Sequence, residues 1–96
     1  MNEETCRVTH RNLNDKKALQ ARINRIEGQI RGIKQMIDND VYCDDILVQV
    51  SAAAQSLKSL GRQILNGHLK SCVKRELLAG NDEIIDEVMN SFSKLQ

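Results

Sequence analysis

Between residues 44 and 79 the chain carries apolar residues on two sides of one helix, and that pattern limits what it can fold into. Ile46, Val50, Ala53, Leu57, Leu60 and Ile64 step by fours and threes, the spacing of a single helical face. Leu47, Ala54, Gly61, Leu65, His68 and Cys72 make a second stripe, and Leu69, Val73 and Leu77 carry the pattern to Gly80, a residue suited to closing a helix. Unbroken, such a rod is about 54 Å long. A compact chain of 96 residues has a radius of gyration of only about 12–13 Å. Gly67 is the weak point at which the rod would break.

The flanking segments are too short to cover it. Leu19, Ile23, Ile26, Ile30, Ile33 and Ile37 trace one seam of a first helix that ends near Asp38, with Asn14 or Asp15 as its cap. Gly28 and Gly32 lie one turn apart on it. Each weakens an isolated helix by roughly 1 kcal/mol relative to Ala, and their expected use is close approach of another helix backbone. The connection runs through Asn39 and Asp40, with Asp40 or Asp44 capping the second helix. A third, shorter helix starts at Asn81 or Asp82 and carries Ile85, Val88, Phe92 and Leu95 on its apolar side. Residues 1–13 lack periodicity and read as a flexible tail, leaving 14–96 as one helical domain. The expected fold is therefore all-α: a three-helix protomer whose doubly apolar middle helix is buried against a second copy. An antiparallel pair of helical hairpins then makes a four-helix-bundle dimer, with a dimer of dimers as the next level of assembly.

Composition narrows the function classes. Proline is absent and Tyr42 and Phe92 are the only aromatics, so the core is aliphatic. Three cysteines, an odd number, in a chain rich in helix formers argue against a disulfide-stapled secreted scaffold. No apolar run is long enough to span a membrane, and no charged-then-apolar leader opens the chain. The expectation is a cytoplasmic protein with reduced thiols. A net charge of +1 hides strong segregation: residues 1–37 carry +4, 38–45 carry −4, 46–75 carry +5 with no acid, and 76–96 carry −4. Thirty consecutive residues without a carboxylate suggest a face that meets anions, although a solvated helix face balanced by acidic ends is the plainer account. An enzyme is not expected, since no paired carboxylates, oxyanion donors or glycine-rich phosphate loop accompany the one His–Cys pair.

Three side chains carry metal chemistry: Cys43, His68 and Cys72. His68 and Cys72 are four apart on one helical face and can share one ion. Two thiolates and an imidazole suit a soft metal, with Cu(I) and Zn(II) as candidates. Structural zinc normally takes four ligands, so three strong ones favour Cu(I). Against this, a single buried Cys is commonly a small hydrophobe, and a His on an apolar stripe is commonly a packing residue. Cys43 and His68 stand about 37 Å apart along an unbroken helix, too far to meet within one chain. In an antiparallel dimer, Cys43 of one chain approaches His68 and Cys72 of the other, giving two intersubunit sites.

The segments RINRIEGQIRGIKQMI (22–37), VYCDDILVQVSA (41–52) and HLKSC (68–72) together resemble the copper-sensing operon repressor (CsoR) family, over about residues 17–95. That resemblance implies a repressor whose metal-free oligomer binds double-stranded operator DNA. Cu(I) at Cys43, His68 and Cys72 then lowers DNA affinity and releases copper-resistance genes. It further implies Tyr42 and Glu87 as outer partners of the metal site, with Glu83 as the fallback for Glu87, and Arg22, Lys58 and Arg62 as DNA contacts, with Arg25 a weaker candidate. His68 separates this pattern from the family's persulfide sensors, which lack the histidine. A persulfide or thiol-redox repressor using Cys43 and Cys72 is the alternative, and a copper-buffering protein that never touches DNA is a rival of another class. No helix-turn-helix, zinc finger or basic zipper is visible, so DNA binding would rest on a repeated positive surface and on DNA shape. Cys6 and His10 share the four-residue spacing in the tail, as an auxiliary ligand pair or, as we favour, with Cys6 a spare thiol.

Overall fold

The computed structural model describes residues 11–96. They form α1 (Leu13–Asp38), α2 (Cys43–His68), a π-helical turn (Leu69–Val73), α3 (Lys74–Leu78) and α4 (Ile84–Lys94), with no strand among the described residues. Because the π turn joins α2 to α3 without a break in helical structure, the described residues form three helical stretches, as the periodicity predicts. The middle stretch runs from 43 to 78 and differs from the expected rod at one place, where the α ladder widens at Leu69. Gly67 does not end the helix, although the widening begins two residues after it. Chain packing divides the described residues into two compact units, Arg11–Leu60 and Gly61–Gln96.

The unit Arg11–Leu60 contains α1 and most of α2. Asn12 caps α1: its side-chain oxygen accepts a hydrogen bond from the Asp15 amide at 2.8 Å, satisfying one of the donors left over at a helix start. The cap thus lies ahead of the expected Asn14 or Asp15. Both of those fall inside the first turn, and Asp15 there complements the positive end of the helix. Residues 1–10, including Cys6 and His10, lie outside the described residues. Ile26 is buried on α1 and Ala53 on α2, both at positions the apolar seams assign to packing. Their seam neighbours Ile23, Ile30, Ile37, Val50 and Leu57 remain exposed in the single chain.

The end of α1 is closed by Asp40, not by a glycine. Val41 N–H donates to the Met36 carbonyl at 3.0 Å and Asp40 N–H to the Ile37 carbonyl at 3.2 Å, with Asp40 at φ 53°. This is the Schellman arrangement, which satisfies the helix's last carbonyls. Asp40 therefore terminates α1 and does not cap α2. Asp44 likewise lies inside the first turn of α2, beside Asp45, where carboxylates suit the positive helix end.

In the unit Gly61–Gln96, α4 packs against the π turn. Cys72, Val73 and Ile84 are its buried residues. Gly80, at φ 88°, closes α3 with the same pair of bonds: Asn81 N–H to the Glu76 carbonyl at 2.9 Å and Gly80 N–H to the Leu77 carbonyl at 3.0 Å. The side-chain amide of Asn81 adds a bond to the Glu76 carboxylate at 2.8 Å. A short turn follows, so α4 begins at Ile84, slightly later than the expected Asn81 or Asp82. Within the single chain the glycines differ in what surrounds them. Among the described residues, a Cβ at Gly28 meets only the Arg31 guanidinium at 3.6 Å and one at Gly32 meets nothing within 4 Å, whereas a Cβ at Gly61 would collide with the Leu95 side chain.

Candidate metal site and its helical frame

Cys43 is the first residue of α2 and His68 the last. Cys43 is an exposed free thiol. It follows Tyr42, whose ring is 69% exposed and whose carbonyl accepts the amides of Asp45 and Ile46 at 3.1 and 3.3 Å as the helix begins. The local sequence places the thiol outward: the apolar stripe starts only at Ile46, and the intervening Asp44 and Asp45 are solvated.

His68 is half-buried and immediately precedes the π turn, and Cys72 is buried within it. Buried Val73 beside it and the packing of α4 against the π turn accompany the inward position of Cys72, while Cys43 is outward. The sulfur of Cys72 is in a disulfide, so coordination of a metal requires its reduction to the thiolate. Among the described residues no three His, Cys, Asp or Glu side chains converge within one chain in a way that could hold a metal ion. The donor chemistry still fits a soft ion, because two sulfurs and an imidazole are the ligands such ions select.

The other sequence-assigned residues take ordinary helical positions. Glu83 precedes α4, and Glu87 is exposed in its first turn. Lys58 and Arg62 are exposed on α2, while Arg22 is half-buried on α1. Arg22 and Arg62 are each engaged by other groups of the chain. Sequence reasoning missed the π turn and its side-chain bond from the Ser71 hydroxyl to the Gly67 carbonyl, 2.8 Å long. A Gly followed four residues later by a Ser, beside the candidate ligands, was the available signal.

The described residues therefore define an all-helical protein with two cysteines and a histidine spaced along its middle helical stretch, and no helix among them is long and apolar enough to cross a membrane. The chain belongs to the metal-sensitive transcriptional repressor family, whose model matches residues 15–94; these are repressors and not enzymes. The copper-sensing transcriptional repressor CsoR of Bacillus subtilis is 39% identical over 88 residues, covering 91% of this chain and 87% of that one. The crystal structure of the copper-sensing repressor CsoR with Cu(I) from Geobacillus thermodenitrificans superposes with a TM-score of 0.83 at 34% identity, covering 91% of this chain and 92% of the other. The nickel-responsive transcriptional regulator InrS is a second structural relative, with a TM-score of 0.74 at 31% identity and coverage of 94% and 99%.

Proposed function

We propose that the chain is a cytoplasmic Cu(I)-responsive repressor. Its metal-free oligomer binds operator DNA, and Cu(I) held by Cys43 of one chain with His68 and Cys72 of another lowers that affinity, releasing copper-resistance genes. The observation that carries this reading is the Cys, His, Cys donor set in a family member whose similar relatives are named copper-sensing repressors. A 26-residue α2 with Cys43 at one end and His68 at the other supports sharing between chains, since an α-helix of that length holds its ends about 37 Å apart. The exposed Ile23, Ile30, Ile37, Val50 and Leu57 supply the apolar surface that an antiparallel dimer, and a dimer of dimers, would cover. Tyr42 and Glu87 are assigned as outer partners of the ligands.

Arg22, Lys58 and Arg62 are assigned to the phosphate backbone, and residues 14–96 act as one DNA-binding and metal-sensing domain. The switch requires only that Cu(I) bind the low-affinity conformation more tightly than the DNA-bound one; by linkage, DNA then weakens Cu(I) binding by the same factor. Anaerobic Cu(I) titration of the reduced protein–DNA complex tests the proposal. Wild type should release DNA near one Cu(I) per chain, whereas Cys43→Ala and His68→Ala should bind DNA and ignore copper. A normal response by either variant would refute the assigned site.

The exposed free thiol of Cys43 favours one second reading, a thiol-redox repressor in which Cys43 and Cys72 report sulfur oxidants. Under that reading His68→Ala retains full induction by a sulfide donor, and Cu(I) leaves the DNA complex intact.

A further inference from the structure

The π turn lies between the two ligands of the carboxy-terminal pair. Lys74 N–H donates to the Leu69 carbonyl, a five-residue step in place of the four-residue step of an α-helix. His68 precedes this turn, and Cys72 lies inside it. Their relative direction is thus set by the wide turn and not by the α-helical spacing that the sequence alone suggests. One extra residue in a turn rotates the rest of the helix by up to about 100° around its axis, enough to change which side of the helix a ligand addresses.

Two neighbouring residues accompany the widening. Ser71 Oγ donates to the Gly67 carbonyl at 2.8 Å, and such bonds to the carbonyl four residues back bend helices. Gly67 has no steric reason to be glycine, since a Cβ there meets nothing within 4 Å among the described residues. It lowers the local preference for the α-helix relative to Ala. An internal control exists in α2, where Ser56 Oγ makes the same kind of bond to the Ala52 carbonyl at 3.1 Å and the helix stays α-helical. The bond alone does not open the ladder; the bond together with glycine at the acceptor position coincides with its opening.

We propose that Ser71, acting with Gly67, is a positioning residue for the metal site: its hydroxyl holds the π turn that directs the Cys72 thiolate relative to His68. The inference rests on the copper reading above for the identity of the metal. The surroundings of a ligand that fix its direction typically govern metal affinity by about 10–100-fold, and the Ser71 hydroxyl, next to Cys72 in the chain and bonded to the Gly67 carbonyl, occupies such a place.

The test uses the reduced full-length chain and Cu(I) alone, competed against a chromophoric Cu(I) chelator under anaerobic conditions. X-ray absorption reports the coordination number, and hydrogen exchange of the amides around residues 69–74 is followed in the metal-free protein. Ser71→Ala should weaken Cu(I) binding about tenfold, shift coordination from three ligands towards two, and alter exchange in the π turn. Ser71→Thr, which keeps the hydroxyl, should restore all three. Gly67→Ala should act in the same direction as Ser71→Ala, and Ser56→Ala should leave affinity and coordination unchanged. Unchanged affinity and coordination in Ser71→Ala, or an equal loss in Ser56→Ala, would overturn the positioning role while leaving the copper reading intact. Failure of the wild type to bind Cu(I) would instead overturn the copper reading and the positioning role together, with the exchange data still reporting on the π turn itself.

Discussion

The two thiols of the candidate site occupy opposite environments. Cys43 is exposed in the first turn of an ordinary α-helix, whereas Cys72 is buried to 7% in a π turn against which α4 packs. An exposed thiol with no convergent donors among the described residues can be offered to another molecule. A buried ligand beside His68 belongs to the folded frame, and changing it changes that frame. Cys43 is a free thiol and Cys72 is in a disulfide, so the two are comparable as thiolates only after reduction, and the difference then lies in how each is held.

The sharpest way to break this contrast is to remove each thiol separately under reducing conditions. Both Cys43→Ala and Cys72→Ala should abolish the Cu(I) response, with affinity falling by more than about a hundredfold as a thiolate ligand is lost. Only Cys72→Ala should also lower stability, by about 1–2 kcal/mol for a small buried side chain. Cys43→Ala should stay within about 0.5 kcal/mol of wild type, as exposed substitutions do. Urea denaturation of the metal-free proteins separates the two. Equal losses of stability would mean that Cys43 is buried in the working assembly. A related measurement concerns oxidation: before reduction, with Cys72 in its disulfide, Cu(I) should leave the DNA complex intact, and the response should appear after treatment with a thiol reductant and its removal.

The positive residues set a second contrast, between side chains proposed to contact DNA and side chains proposed to bind metal. Lys58→Ala and Arg62→Ala should weaken DNA binding similarly across unrelated sequences and reduce the slope of log affinity against log salt by about one for each phosphate no longer neutralised. Cu(I) affinity of the free protein should not change. Fluorescence anisotropy at several salt concentrations checks this, and a loss confined to one DNA sequence would identify a base contact instead.

How much of this the sequence disclosed depends on whether the cause was periodic. The seams through Ile26 and Ala53 come from side-chain spacing, which survives without knowledge of the partner, and the helices fall where those seams run. The donor types of Cys43, His68 and Cys72 are likewise a property of the residues, whereas their convergence on one ion is not given by the sequence and remains a proposal. The π turn was not, because an α-helical period assumes the ladder it is used to find; a local change of period at Leu69 leaves the apolar pattern almost intact. Helix caps were misplaced for a related reason. Asn12, Asn14 and Asp15 all have capping chemistry, and only backbone geometry selects Asn12. The crowding at Gly61 was not legible because a glycine in a helix does not name what lies beside it, and its neighbour Leu95 is distant in sequence.

The smallest effects come from comparing two helix ends that make the same bonds with different residues. Gly80 and Asp40 both occupy the left-handed position after a helix, and the amide bonds that close the two ends differ by no more than 0.2 Å. Glycine reaches that conformation without the Cβ clash that other residues suffer. Gly80→Ala should therefore destabilise the protein by about 1 kcal/mol, and no neighbouring atom contributes, since a Cβ there meets nothing within 4 Å among the described residues. Asp40→Gly should act in the opposite direction, but by less. Asp is among the side chains that tolerate the left-handed region, and the greater freedom of glycine in the unfolded chain offsets part of what the relieved strain contributes. A gain of about 0.5 kcal/mol in urea denaturation is expected, with DNA binding unchanged. A loss on Asp40→Gly would show that the Asp40 carboxylate makes a stabilising contact of its own, and that the two closures are alike in backbone only.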